Sequence, residues 1–179
     1  MRYSISDYIH NTIYTRLINC KTVIDMGGTG KMKKPGLELT NANVRHGIDA
    51  TNLPFADNSF DASVSIAVLE HVGDEDNQLR FLNESVRVAK KRVLHWFPID
   101  DSAELFLREK GHRHFSITPS LNIMSYLEKK NFQTIDYITV REHFINLTMI
   151  HPKLASKELY EYAFKNKGTC YGILMELIK

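Results

Sequence analysis

The chain has 179 residues, with 23 Lys and Arg against 21 Asp and Glu, a formal charge of +2, 43% hydrophobic and 25% charged residues. That length carries one domain with a full core and is short for two, and the composition is globular rather than disordered or fibrous. Near-balanced charge makes no electrostatic case for a nucleic-acid partner, and no apolar run approaches the ~20 residues of a membrane-spanning helix.

Residues 6–18 open the chain as a helix, with Ser6 or Asp7 as cap and Ile9, Ile13 and Leu17 on one face. Asp7, Asn11 and Arg16 exclude a signal-peptide core there. A buried strand follows at Val23-Ile24-Asp25-Met26 and breaks into the glycine turn of "VIDMGGTGK", residues 23–31. "LELTNANV" (37–44) and "DASVSIAV" (61–68) are the next strands, the latter entered through the turn "FADNSF". Asp74 or Asp76 caps a helix whose stripe is Leu79, Leu82, Val86 and Ala89. Lys90, Lys91 and Arg92 read as its solvated end, favoured there by the helix dipole, and Lys31, Lys33 and Lys34 as a solvated turn.

"RVLHWF" (92–97) is another strand, and Asp101 caps a helix that Gly111 stops. Thr118 and Pro119 then start a helix that buries Leu121, Met124 and Leu127 and ends at Asn131. Strands 134–140 and 170–178 close the chain around a helix over 156–166. Alternation of helix and strand throughout predicts an α/β fold: a Rossmann-like, doubly wound sheet in one domain over 1–179, with the N-terminal helix in 1–19 and the α/β core in 20–179.

An acid at a strand's carboxyl end, followed at once by glycines, stands where open α/β sheets bind ligands. Glycine admits close approach of backbone, and free amides at such a turn attract polar or anionic groups. The turn alone is common. With "GIDATNLPFADNSFDASVSIAVLEHV" (47–72) after it, the chain resembles the class I S-adenosylmethionine-dependent methyltransferases, in particular the small "type 11" kind. "RVLHWFPID" and "HRHFSITPSLNIMSYLEKKNF" continue the resemblance, which spans about residues 20–140.

The resemblance implies a mostly parallel, seven-stranded sheet with an antiparallel last strand, S-adenosylmethionine as cofactor and a small-molecule methyl acceptor. Gly27, Gly28 and Gly30 would form the turn against the cofactor's amino-acid and ribose part. Asp25 would orient that turn or reach the methionine ammonium through water. Asp49 would accept from the adenine amine, with the Ala50 amide at a ring nitrogen, and Ile66 and Ala67 would lie beside the sulfonium. Read by itself, Asp49 is a turn residue bonding its own backbone, and Asp61 an acid that opens a strand. Glu70 and His71 either close a hydrogen-bonded corner or face the substrate, and His71 is the candidate proton acceptor.

Three features depart from the family. "DMGGTG" lacks the residue between the first two glycines of acid-x-Gly-x-Gly-x-Gly. The stretch from Lys31 to Gly36 is short for a crossover helix. The acid that binds both ribose hydroxyls in the family falls on Asn43, with Glu38 the nearest carboxylate. Losing a charge-assisted pair is worth about 1–3 kcal/mol, or roughly tenfold or more in affinity. These departures favour an alternative function, a catalytically inactive methyltransferase-like binding or partner protein.

Other constellations are weaker. His112 and His114 form an H-x-H pair that no acid or cysteine completes as a metal site, and His95, His143 and His151 stand apart. Cys20 and Cys170 are isolated, which suits a reduced, cytoplasmic protein. Trp96 and Phe97 read as core, and Ser65 and Ser85 lack the context of a nucleophile elbow. A dinucleotide oxidoreductase is disfavoured because G-x-G-x-x-G does not fit "GGTGKM".

Overall fold

Short runs of Val, Ile, Ala and Ser, apolar on both faces, are what a central parallel strand requires, because helices cover it from both sides. The computed structural model describes residues 5–28, 30, 32–99, 120–139, 142, 161, 165 and 170–179. Its strands are β1 (Thr22–Met26), β2 (Glu38–Ala42), β3 (Phe60–Ile66), β4 (Ala89–Pro98), β5 (Gln133–Thr139) and β6 (Cys170–Ile178). They form one sheet in the order β2-β1-β3-β4-β6-β5. The β1/β2, β1/β3 and β3/β4 pairs are parallel, and β6 runs antiparallel to both β4 and β5.

The expected topology is thus present with six strands among the described residues rather than seven. β2 is the edge, and no described residue pairs on its outer side. Between β1 and β2 the described residues form no helix. From Asn43 the chain turns at once through a short 3-10 turn, Val44–His46, toward Asp49, which leaves no length for another strand.

Helix α1 (Ile5–Arg16) covers one face of the sheet, and α2 (Glu75–Val88) and α3 (Leu121–Lys129) cover the other. Alternate strand residues divide between the two layers. Val23, Ala62, Val64, Leu94 and Trp96 pack with Ile9 and Ile13 of α1 and with Leu17 just after it. Ile24, Met26, Val93 and Phe97 pack with Phe81, Leu82, Ile123 and Leu127. Asp25, one step from Ile24, therefore looks toward the α1 side.

Several boundaries differ from the sequence reading. Ser6 and Asp7 lie inside the first turn of α1, which begins at Ile5. In α2 the cap is Asp74, accepting from the Asn77 N–H, while Leu79 and Val86 are only partly buried and Ala89 already belongs to β4. Lys90, Lys91 and Arg92 are strand residues, not a helix end. The helix terminus is held instead by Lys179, whose Nζ donates to the carbonyls of Val86 and Ala89.

Helix α3 is capped by Ser120, and Leu121, expected in the core, is 86% exposed at the first helical position. Thr118, Pro119, the 101–109 helix, His112, His114, His143 and His151 lie outside the described residues, as does most of 156–166. No described helix is long and apolar enough to cross a membrane.

Candidate functional site

The parallel strands β1, β2 and β3 end together on one side of the sheet, and the chain's turns gather there. Gly27 follows β1 at φ +74°, and its N–H donates to the Ala42 carbonyl at 2.6 Å. A side chain on Gly27 would collide with Val68, and one on Gly28 with the Asp25 carboxyl, so both glycines are required by close approach. Gly30, also at positive φ, has open space around it.

Asn43 holds this turn. Its Nδ2 donates to the carbonyls of Gly27 (3.0 Å) and Gly28 (3.1 Å), and its Oδ1 accepts from the Arg45 N–H at 2.9 Å. A carboxylate could not make the first two bonds, since it has no donor. Glu38, the other acid near, pairs with Thr22 at the opposite end of the strand and is remote from the turn.

Two cavities flank the turn, with Gly27 and Val68 as common wall. The first, about 290 Å³, is lined by Asn43, Ile48, Asp49, Ala50, His71 and Phe81 among others. The second, about 270 Å³, is lined by Ser6, His10, Asp25, Gly28, Ile66 and Ala67, with Met32 beside them. Asp25, Gly27, Gly28, Asn43, Asp49, Ala50, Ile66, Ala67 and His71 each border one of the two, whereas Gly30, Glu38 and Glu70 border neither.

In the second cavity Asp25 is only 6% exposed, and burial pushes its carboxyl up to about 6, with His10 pulling it slightly back. Ala67 caps β3 at φ +53°, a left-handed conformation that costs a non-glycine residue on the order of 1 kcal/mol. Its N–H donates to the Trp96 carbonyl at 2.9 Å, which fixes that strand end against β4.

In the first cavity Asp49 Oδ1 accepts from both the N–H and the hydroxyl of Thr51 at 2.8 Å. Those bonds hold its carboxyl below the usual range. The loop is fastened to α2. Arg87 donates to the carbonyls of Leu53 and Phe55 and pairs with Asp57 and Glu84, and Glu84 accepts from the Leu53 N–H at 2.7 Å. His71 ends a 3-10 turn, its side chain 41% exposed, with Nε2 at 4.0 Å from Oε1 of buried Glu70. The "LEHV" corner is therefore both a packed turn and part of the cavity wall.

Asp61 stands away from both cavities. It accepts from the Lys21 and Thr22 N–H groups and pairs with Lys91, which holds its carboxyl down to about 2. Among the described residues no group of three or more His, Cys, Asp or Glu could hold a metal ion. The residue that pattern reasoning leaves out is His10. Its one signal is position: it follows buried Ile9 on the flank of α1 that overhangs β1.

Residues 15–97 match the family model described as a methyltransferase domain. No curated protein matches the chain. Phosphoethanolamine N-methyltransferase 2 of Haemonchus contortus, solved with phosphomonomethylethanolamine and S-adenosylhomocysteine, has a TM-score of 0.60 at 15% identity. The alignment covers 96% of this chain but 52% of that enzyme, so this chain spans about half its length. The YcgJ protein of Bacillus subtilis reaches 0.62 at 19% identity, covering 96% of this chain and 98% of its own. The [4+2]-cyclase SpnF is similar at 0.60 and 15%, over 97% and 81%. The family model supports the resemblance to methyltransferases over residues 15–97, and the similar structures share the Rossmann-like fold that the resemblance implies, here with six described strands.

Proposed function

We propose that the chain binds S-adenosylmethionine across the two cavities and transfers its methyl group to a small or modest-sized acceptor. The observation that carries this reading is Asp25. A carboxyl held out of water at the end of a parallel strand, beside Gly27 and Gly28 whose close neighbours leave no room for a side chain, gains from a cation brought against it. S-Adenosylmethionine carries an ammonium and a sulfonium, and when bound it supplies an electrophilic methyl group.

The residues fit that group at both ends. Asp25, Gly27 and Gly28 would hold the methionine end, with Ile66 and Ala67 beside the sulfonium and Gly30 completing the turn. Asp49 keeps one oxygen outside its turn bonds for the adenine amine, and Ala50 offers its amide. Asn43 borders the place of the ribose, but it does so with its amide already committed to Gly27 and Gly28. Its contribution is to keep the glycine turn open, and ribose affinity is correspondingly weaker. The chain contributes alignment and exclusion of water, the larger part of catalysis for a displacement of this kind.

The commitment of Asn43 and the lack, among the described residues, of a strand beyond β2 favour a second reading, a binding or partner protein of the same fold. A cyclase among the similar structures is a reminder that chemistry is set by the site. Calorimetry decides. Micromolar binding of S-adenosylmethionine and S-adenosylhomocysteine, lost in Asp49→Ala, supports the enzyme. No heat at millimolar ligand refutes it, and binding without turnover on any acceptor moves the assignment to the second reading.

A further inference from the structure

His10 has geometry that neither the glycine turn nor the core requires. Ile9 and Ile13 bury the inner face of α1, which leaves His10 on the flank beside the carboxyl end of β1. There it lines the second cavity opposite Asp25, near enough for its charge to bear on that carboxyl.

The ring's tautomer follows from its partner. Nδ1 lies 2.6 Å from the Ser6 carbonyl oxygen, with Ser6 Oγ at 3.4 Å from the same nitrogen. A carbonyl only accepts, so Nδ1 carries the proton and the neutral ring keeps its lone pair on Nε2. The ring is also held in place. It packs against Tyr14, centroids 6.2 Å apart, and Tyr14 is tied down at both ends. Its hydroxyl accepts from the Lys33 N–H at 2.8 Å and its carbonyl from Lys34 Nζ at 2.7 Å.

His71, by contrast, borders the cavity of Asp49, on the other side of the wall made by Gly27 and Val68. If Ile66 and Ala67 mark the reacting methyl group, the histidine on that side among the described residues is His10.

We propose that His10 Nε2 receives the proton released by the methyl acceptor, and that the acceptor is a small molecule presenting a neutral N–H or O–H to the cavity under α1. This rests on the methyltransferase reading above. The acceptor's lone pair forms the bond to the methyl carbon, and the carbon–sulfur bond breaks with its electron pair left on sulfur. The acceptor's proton passes to Nε2, and the resulting imidazolium faces the Asp25 carboxylate, which stabilises it. A positioned base of this kind contributes about 10²- to 10⁴-fold in rate.

The test uses the full chain with 15N-labelled histidine, the His10 signals being those that His10→Gln removes. At pH 8 they are expected to report a neutral ring protonated on Nδ1, with the Nε2 resonance shifting when S-adenosylhomocysteine saturates the protein. Calorimetry of His10→Gln is expected to keep S-adenosylhomocysteine affinity within about threefold of wild type. On any small amine, alcohol or phenol that the wild type methylates, His10→Gln lowers kcat by about 10²-fold or more.

A ring protonated on Nε2, an Nε2 signal unmoved by bound ligand, an unchanged kcat, or a tenfold loss of ligand affinity in His10→Gln overturns the proposal. The last of these would make His10 a cofactor anchor instead. Failure of the wild type to bind S-adenosylhomocysteine at millimolar concentration overturns the underlying methyltransferase reading, and this proposal with it.

Discussion

Asp25 gives up water for a place in the cavity wall, and the pH dependence of that exchange has a definite sign. A carboxyl whose folded value is raised favours the fold while protonated; that contribution is complete below 3.8 and lost as pH rises through about 6. Asp25→Asn removes the loss, so it is expected to stabilise the ligand-free protein by roughly 2–3 kcal/mol at pH 7.5 and by little at pH 4. The same substitution removes the charge that a cationic ligand needs. Urea unfolding at the two pH values, beside calorimetry, would show stability gained and affinity lost together. Asn43 makes the converse case. Asn43→Asp introduces the acid that the resemblance leads one to expect there, but it sets a carboxylate against the Gly27 and Gly28 carbonyls and is expected to cost about 1–3 kcal/mol by thermal melting. Its neighbours, not its place in a motif, decide what that position does.

At the scale of elements, the cavities are built by loops that the helices hold. Arg87 of α2 carries the 53–57 loop through two carbonyls and two carboxylates. Arg87→Ala is expected to destabilise the protein by about 2 kcal/mol and to weaken nucleoside binding, although Arg87 touches neither cavity. A larger loss of S-adenosylhomocysteine affinity than of methionine affinity would mark that loop as the adenine side. Much of this organisation is legible in the sequence, because strand ends, turn residues and the Asp74 cap are local signals. Leu121 is not, since its exposure depends on how α3 sits against α2. Nor is the Ser120 cap, which competes with the better-known pairing of Thr118 and Pro119. The strands and helices most readily read are those whose apolar period is short and whose partners lie close in sequence.

For the molecule as a whole, a second buried titratable group opposes Asp25. His95 is fully buried between Ser65 and Ser85, joining β3, β4 and α2, and burial pulls it down to about 3. Ser85 spends its one proton on the Leu82 carbonyl, so it accepts from Nε2–H of His95, and Nδ1 accepts from Ser65. A histidine whose folded value is depressed adds stability above its unfolded value of 6.5 and loses it as pH falls through that value toward 3. Between about pH 4 and 6 the two slopes cancel, each being about 1.4 kcal/mol per pH unit. Asp25→Asn should therefore unmask stability that rises with pH in that window, and His95→Gln stability that falls. Parallel slopes in the two variants would contradict both assignments. Sequence pattern places His95 in a strand but cannot supply its partners, which come from three elements. For the same reason it misses His10, whose role depends on α1 crossing the end of β1. The most direct measurement of the central claim is a crystal structure with S-adenosylhomocysteine. Adenine beside Asp49 and Ala50, the amino-acid end over Gly27 and Gly28 against Asp25, and sulfur facing Ile66 and Ala67 are the predicted result. A ligand bound elsewhere or in the reverse direction, or none at millimolar concentration, would contradict it.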